Sequence, residues 1–144
     1  MFSKACEYGI RATIYIAMQS LQGTRVNLKD ISKEIDSPVA FTAKILQQLA
    51  KNDIIKSVKG PSGGFEIDKE AIDSIKLIHI VSAIDGDKIF NGCGLGLKEC
   101  NEDYPCPVHF QFKEIRDTLK KMANETSIYE LATGLEVGLT FLKR

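Results

Sequence analysis

The chain lacks net charge: its 144 residues carry 19 basic and 19 acidic side chains. That balance excludes a protein that coats nucleic acid through bulk charge, although it leaves room for a local basic patch. No run approaches the roughly 18–20 apolar residues needed to span a bilayer. Nor does the start have a basic-then-apolar leader pattern, so a cytoplasmic location and no membrane partner are expected. Histidine is scarce, with only two residues far apart, His79 and His109. There is no zinc-protease motif and no dinucleotide fingerprint. Gly60-Pro61-Ser62-Gly63-Gly64 lacks the Gly-Lys-Ser/Thr ending and the following helix of a phosphate loop. These absences argue against an enzyme. What is present, 44% apolar and 26% charged residues, suits one compact globular domain.

Apolar spacing predicts a largely helical chain. Phe2, Cys6, Ile10, Ile14, Ala17 and Leu21 mark an amphipathic helix over 2–21, closed by Gly23. A shorter helix starts at Asn27, a good N-cap, with Leu28, Ile31 and Ile35 on one face. After Asp36-Ser37-Pro38, where Ser37 can cap and Pro38 suits the first turn, a third helix turns Phe41, Ile45, Leu46 and Leu49 inward. Ile54 to Lys59, the Gly60–Gly64 turn cluster and Phe65-Glu66-Ile67 then read as a small β-hairpin. Ile75, Ile78, Val81 and Ile84 predict a helix capped by Asp73 or Ser74 and ended at Asp85-Gly86, with His79 as a structural side chain. Val108, Phe112, Ile115, Leu119 and Met122 form an a/d seam begun by Pro107 and running to about Asn124. Ser127 and Glu130 make a capping box for a last short helix.

Two helices on a short turn followed by a glycine-tipped hairpin is the element order of a winged helix-turn-helix. The fold class is therefore mainly α with a small β-hairpin wing and a long C-terminal helix. DNA docking needs polar side chains on the second helix of the pair and a basic, small-residue hairpin tip that can approach a narrow groove. The helix offers Ser37, Thr42, Lys44, Gln47 and Gln48, and the hairpin offers Lys56, Ser57, Lys59, Gly60 and Pro61. Between residues 40 and 64, Lys44, Lys51, Lys56 and Lys59 oppose only Asp53. From 85 to 106, five acidic residues oppose Lys88 and Lys98, so the zero total hides a basic end and an acidic end.

Residues 86–106 have little periodicity and hold three of the four cysteines, which in a cytosolic protein points to metal or redox chemistry before a disulfide framework. Six residues separate Cys93 from Cys100 and five separate Cys100 from Cys106. Structural zinc sites commonly use about two to four, and wider spacing around glycines fits a loop wrapping an iron–sulfur cluster. Three cysteines leave one position open, for His109 or for a carboxylate from elsewhere. The start of the seam helix lowers the cost of a thiolate at Cys106. Cys6, on the apolar face of the first helix, reads as a buried, inert thiol.

Several segments carry a resemblance to a known family. They are Ser3-Lys4 with Tyr8-Gly9-Ile10-Arg11-Ala12, Asp30-Ile31-Ser32, Leu49-Ala50-Lys51-Asn52, Ser57 through Phe65, Val81-Ser82-Ala83-Ile84-Asp85-Gly86 and the cysteine trio. Over nearly its whole length the chain resembles the IscR/NsrR/CymR family of dimeric winged-helix transcription regulators. The resemblance implies a winged helix-turn-helix over 1–85, a cluster loop over 86–106, and a dimerisation helix and C-terminal helix over 107–144. It implies a homodimer through residues 107–124 on a palindromic double-stranded DNA operator, acting as a repressor or related regulator. It also implies a [2Fe–2S] cluster, ahead of a [4Fe–4S] one, that reports iron–sulfur, redox or nitric oxide status. Carried over by position, Cys93, Cys100 and Cys106 would be ligands. The fourth would be His109, or a carboxylate aligned with Glu7 of the partner subunit. A clusterless thiol- or zinc-based regulator of the same fold is the alternative. The chain departs from the pattern in its first cysteine spacing, six where many members have five. It also has Pro38, Ala40, Ala43 and Lys44 in the recognition helix, and Lys59 where a wing arginine stands elsewhere.

Overall fold

The computed structural model describes residues 1–143. Helix α1 (Lys4–Leu21) is the central element. The Ser3 hydroxyl accepts the Cys6 amide at 3.0 Å, and the Ser3 amide donates to Asp85 at 2.9 Å, which ties the helix start to a distant turn. Ala12, Ile16 and Ala17 are fully buried, and Gly23 ends the segment at φ 77°. Helix α2 (Leu28–Glu34) begins where the Asn27 side chain accepts the Asp30 amide. Helix α3 (Val39–Lys51) follows, with Ile45, Leu46 and Leu49 buried against the same core.

The hairpin is shorter than its β-branched run suggests. Strand β1 (Lys56–Val58) pairs antiparallel with β2 (Gly64–Glu66), Lys56 opposite Glu66 and Val58 opposite Gly64. Ile54 and Ile55 are drawn into the core instead, because burying two isoleucines outweighs two more ladder positions. Val26 adds a third edge through a two-way amide exchange with Phe65 at 2.7 and 3.1 Å. Gly64 is required there: it sits at φ 142°, and a β-carbon would lie 2.5 Å from the Val26 carbonyl oxygen. Arg25 locks the wing from outside, donating to the Ser62 carbonyl at 2.8 Å and pairing with Glu66 at 3.2 Å.

A short helix α4 (Lys69–Ile72) precedes α5 (Leu77–Asp85). Neither Asp73 nor Ser74 caps α5; His79 Nδ1 accepts the Lys76 amide at 2.9 Å, a structural role for that histidine. The segment expected to be structureless contains one more turn, α6 (Lys88–Asn91), which buries Phe90. Helix α7 (His109–Glu125) starts two residues later than Pro107 suggests, and α8 (Ile128–Glu136) opens with the Ser127/Glu130 capping box. Helix α8 packs on α1, so Ile128 and Ala132 belong to the main core. A second, smaller core of Cys6, Leu77, Val81, Phe90 and Ala123 holds α7 against α5 and α6. Beyond it, α7 leaves Phe112, Ile115 and Met122 exposed. Among the described residues no helix is long and apolar enough to cross a membrane.

Candidate functional site

The first face of interest joins α3 to the wing. Lys44, Gln47 and Gln48 project into solvent from α3, one turn apart on one side of the helix. Two expected members of this set face inward. Thr42 is fully buried and its hydroxyl donates to the Pro38 carbonyl at 2.9 Å, satisfying the helix start from within. Ser37 is also buried. Its carbonyl accepts the Ser32 hydroxyl, while its own hydroxyl has no partner and caps nothing. The tight α2–α3 turn therefore takes both hydroxyls away from solvent. In the wing, Ser57, Lys59, Gly60 and Pro61 are exposed, and Lys59 has no ion-pair partner among the described residues. Lys56 is exposed but pairs with Asp68 at 2.8 Å, and this bond holds its ammonium above the usual lysine range.

The second site is built by the loop between α6 and α7. The Cys93 and Cys106 sulfurs lie 3.9 Å apart, and Cys100 Sγ lies 3.4 Å from His109 Nδ1. The Leu95 amide donates to Cys93 Sγ at 3.4 Å and, with the Leu97 amide next in effect, pulls that thiol below its ordinary range. His109 is only 3% exposed, and its Nε2 is buried without a hydrogen-bond partner. A buried ring with one orphan nitrogen and a sulfur beside the other is no surface histidine. The Cys106 carbonyl accepts the His109 amide at 3.0 Å, which ties the start of α7 to the last cysteine of the loop.

These donors stand as two pairs; among the described residues no three His, Cys, Asp or Glu side chains converge as one ion would require. Two ligands on one tetrahedral metal lie about 3.8 Å apart when both are thiolates and about 3.6 Å for a thiolate and an imidazole, from bonds of about 2.3 and 2.1 Å. Both observed separations are close to those values, so the donor set fits metal ligation. Glu7 is exposed on the first turn of α1, pairs with Lys4 at 3.5 Å and makes no bond to this loop. Sequence reasoning missed Arg116, whose Nη2 donates to Cys100 Sγ at 3.1 Å and whose Nη1 donates to the Gly92 carbonyl. Its spacing, seven residues or two helical turns after His109, is the signal that could have found it.

A helical pair with a wing defines a winged-helix DNA-binding protein, here joined to a loop that carries three thiols. Comparison with known proteins narrows this. Residues 2–134 match the Rrf2 family model, described as an iron-dependent transcriptional regulator, and the chain belongs to this family. It is similar to a protein of Aquifex aeolicus named as an HTH-type transcriptional regulator, at 31% identity with 91% of this chain and 90% of the relative covered. It is also similar to the HTH-type transcriptional regulator IscR of Escherichia coli, at 29% identity with 90% and 78% covered. Among solved structures, CymR of B. subtilis, the global cysteine regulator of that organism, superposes with a TM-score of 0.73 at 21% identity over 92% of this chain and 96% of its own. T. potens IscR gives 0.74 at 18% identity over 98% and 92%. These relatives are regulators, not enzymes, and the protein is a transcriptional regulator of the winged-helix type.

Proposed function

We propose that the protein is a homodimeric operator-binding regulator whose DNA affinity follows the state of an iron–sulfur cluster held by Cys93, Cys100, Cys106 and His109. The observation that carries the reading is the buried His109 ring facing Cys100, with Cys93 and Cys106 at ligand spacing in the same loop. Two donor pairs suit a two-iron group better than a single ion, which favours [2Fe–2S] over [4Fe–4S] and over zinc. When bound, such a group supplies a reversible one-electron change and sensitivity to oxidants or nitric oxide. His109 is preferred as fourth ligand to Glu7 of the partner subunit because it already faces Cys100, whereas Glu7 is solvated and paired with Lys4.

DNA is met by Lys44, Gln47 and Gln48 on α3 and by Ser57, Lys59, Gly60 and Pro61 in the wing, with Lys56 partly neutralised by Asp68. The exposed α7 seam, within residues 107–124, suits a second copy of the chain, so that two reading heads face two half-sites. The cysteine loop packs beside that seam: a β-carbon on Gly94 would lie 2.5 Å from the Phe112 ring. A change in the loop would therefore reach the dimer seam directly.

The test is an anaerobic visible spectrum with iron and acid-labile sulfide assays on wild type and Cys100→Ala. Wild type should show sulfur-to-iron charge-transfer bands with matched iron and sulfide, and Cys100→Ala should lose most of both. A wild-type protein that stays colourless after reconstitution overturns the cluster reading in favour of a thiol- or zinc-based regulator, to which the CymR likeness in fold is equally suited.

A further inference from the structure

The side chain that organises the thiol loop carries no ligand atom itself. Arg116 spans the loop from one end to its middle: Nη1 holds the Gly92 carbonyl, immediately before Cys93, and Nη2 holds Cys100 Sγ at 3.1 Å. Its Nε is buried with no partner. A guanidinium taken partly out of water and left with an orphan N–H is costly, so the two bonds it does make are the ones that retain it there. The only ion pair tying the loop to α7 among the described residues is Glu102–Lys113 at 3.6 Å. It joins exposed side chains and contributes little. The fork shape of arginine matters, because a carbonyl and a sulfur on separate parts of a loop must be met at the same time.

We propose that Arg116 is a positioning residue for the cluster ligands: its fork sets the loop so that Cys93 and Cys100 face their partners before any metal binds, and its charge then stays against the Cys100 sulfur. The second half of this inference rests on the cluster reading above; the first does not. A positive charge and an N–H donor at a ligand sulfur stabilise the more negative, reduced state, which raises the reduction potential.

The experiment compares wild type, Arg116→Gln and Arg116→Lys. In metal-free protein under anaerobic conditions, hydrogen–deuterium exchange over residues 93–106 should accelerate about tenfold in both variants, as loss of a charge-assisted bond implies, with exchange in α1 and α3 unchanged. Lysine cannot reach two acceptors as a fork, so it should not restore the loop. In reconstituted protein the potential should move to a more negative value in Arg116→Gln and return toward wild type in Arg116→Lys, which keeps the charge. Wild-type exchange rates in Arg116→Gln would overturn the anchoring role. An unchanged potential in Arg116→Gln, or equal shifts in both variants, would overturn the electrostatic role. Failure of wild type to take up iron would remove the cluster reading, and the exchange measurement would still decide whether Arg116 sets the loop. If Arg116→Gln unfolds globally, Arg116→Lys carries the exchange test.

Discussion

Cys6 and Cys93 are the same side chain held in opposite environments. Burial, with Asp85 next in effect, pushes the Cys6 thiol up to about 12, whereas backbone amides pull Cys93 down. The native state keeps the Cys6 proton at pH values where the unfolded chain, near the ordinary value of 9.0, has lost it. The unfolded state then binds fewer protons, so stability present below pH 9 is lost as pH rises toward 12. Cys6→Ala should start about 1 kcal/mol less stable at pH 7, from the small cavity it leaves. It should lose less than wild type between pH 9 and 11 in urea melts, by on the order of 1–2 kcal/mol. Parallel pH profiles in the two proteins would mean that Cys6 does not keep its proton. At this scale the sequence was readable for Cys6, an apolar-face thiol, and for Lys44, Gln47 and Gln48, which fall off the apolar line. It misled at Ser37 and Thr42, because a short hydroxyl side chain can bond local backbone, as Thr42 does, or be shut in by a tight turn, as Ser37 is, as readily as stay at the surface. Which one it becomes depends on the turn geometry.

Among the elements, the wing shows how a strand pair of three residues a side can stand firm. Two strands alone are marginal. Here Val26 adds an edge, Ser20 accepts the Ile67 amide at 3.0 Å, and Arg25 clamps the tip. The hairpin itself was legible in the Gly60–Gly64 cluster, but the clamp was not, since Arg25 lies outside the hairpin and 37 residues from Ser62. A tip so held presents Lys59 at a defined place, and a single lysine at a phosphate or in a minor groove contributes about one unit of salt slope. Lys59→Ala should weaken operator binding roughly three- to tenfold at moderate salt and lower the slope of log affinity against log salt by about one. An unchanged slope in a mobility-shift titration would remove Lys59 from the interface.

For the molecule as a whole, the exposed apolar face of α7 is where the proposed second copy would dock. Phe112, Ile115, Leu119 and Met122 repeat at coiled-coil spacing, and Ile115 is 58% exposed in the single chain. Ile115→Glu should therefore leave the melting of the isolated fold nearly unchanged while shifting the protein to monomer in sedimentation velocity. Binding to a two-half-site operator should fall by tenfold or more, because each head then binds alone. A dimer of wild-type affinity in that variant would place the interface elsewhere. The positions of the six longer helices, the wing, the α7 seam and the identity of the thiol loop, though not the short turns α4 and α6, were determined by sequence, because periodicity, caps and turn residues act over a few neighbours. Only the tertiary structure decided that Cys93 faces Cys106, that Cys100 faces His109, and that Arg116 reaches back to hold the start and the middle of the loop. Such pairings depend on the path of a loop with no repeat of its own. That path is set by where α6 and α7 are packed, and local sequence does not encode it.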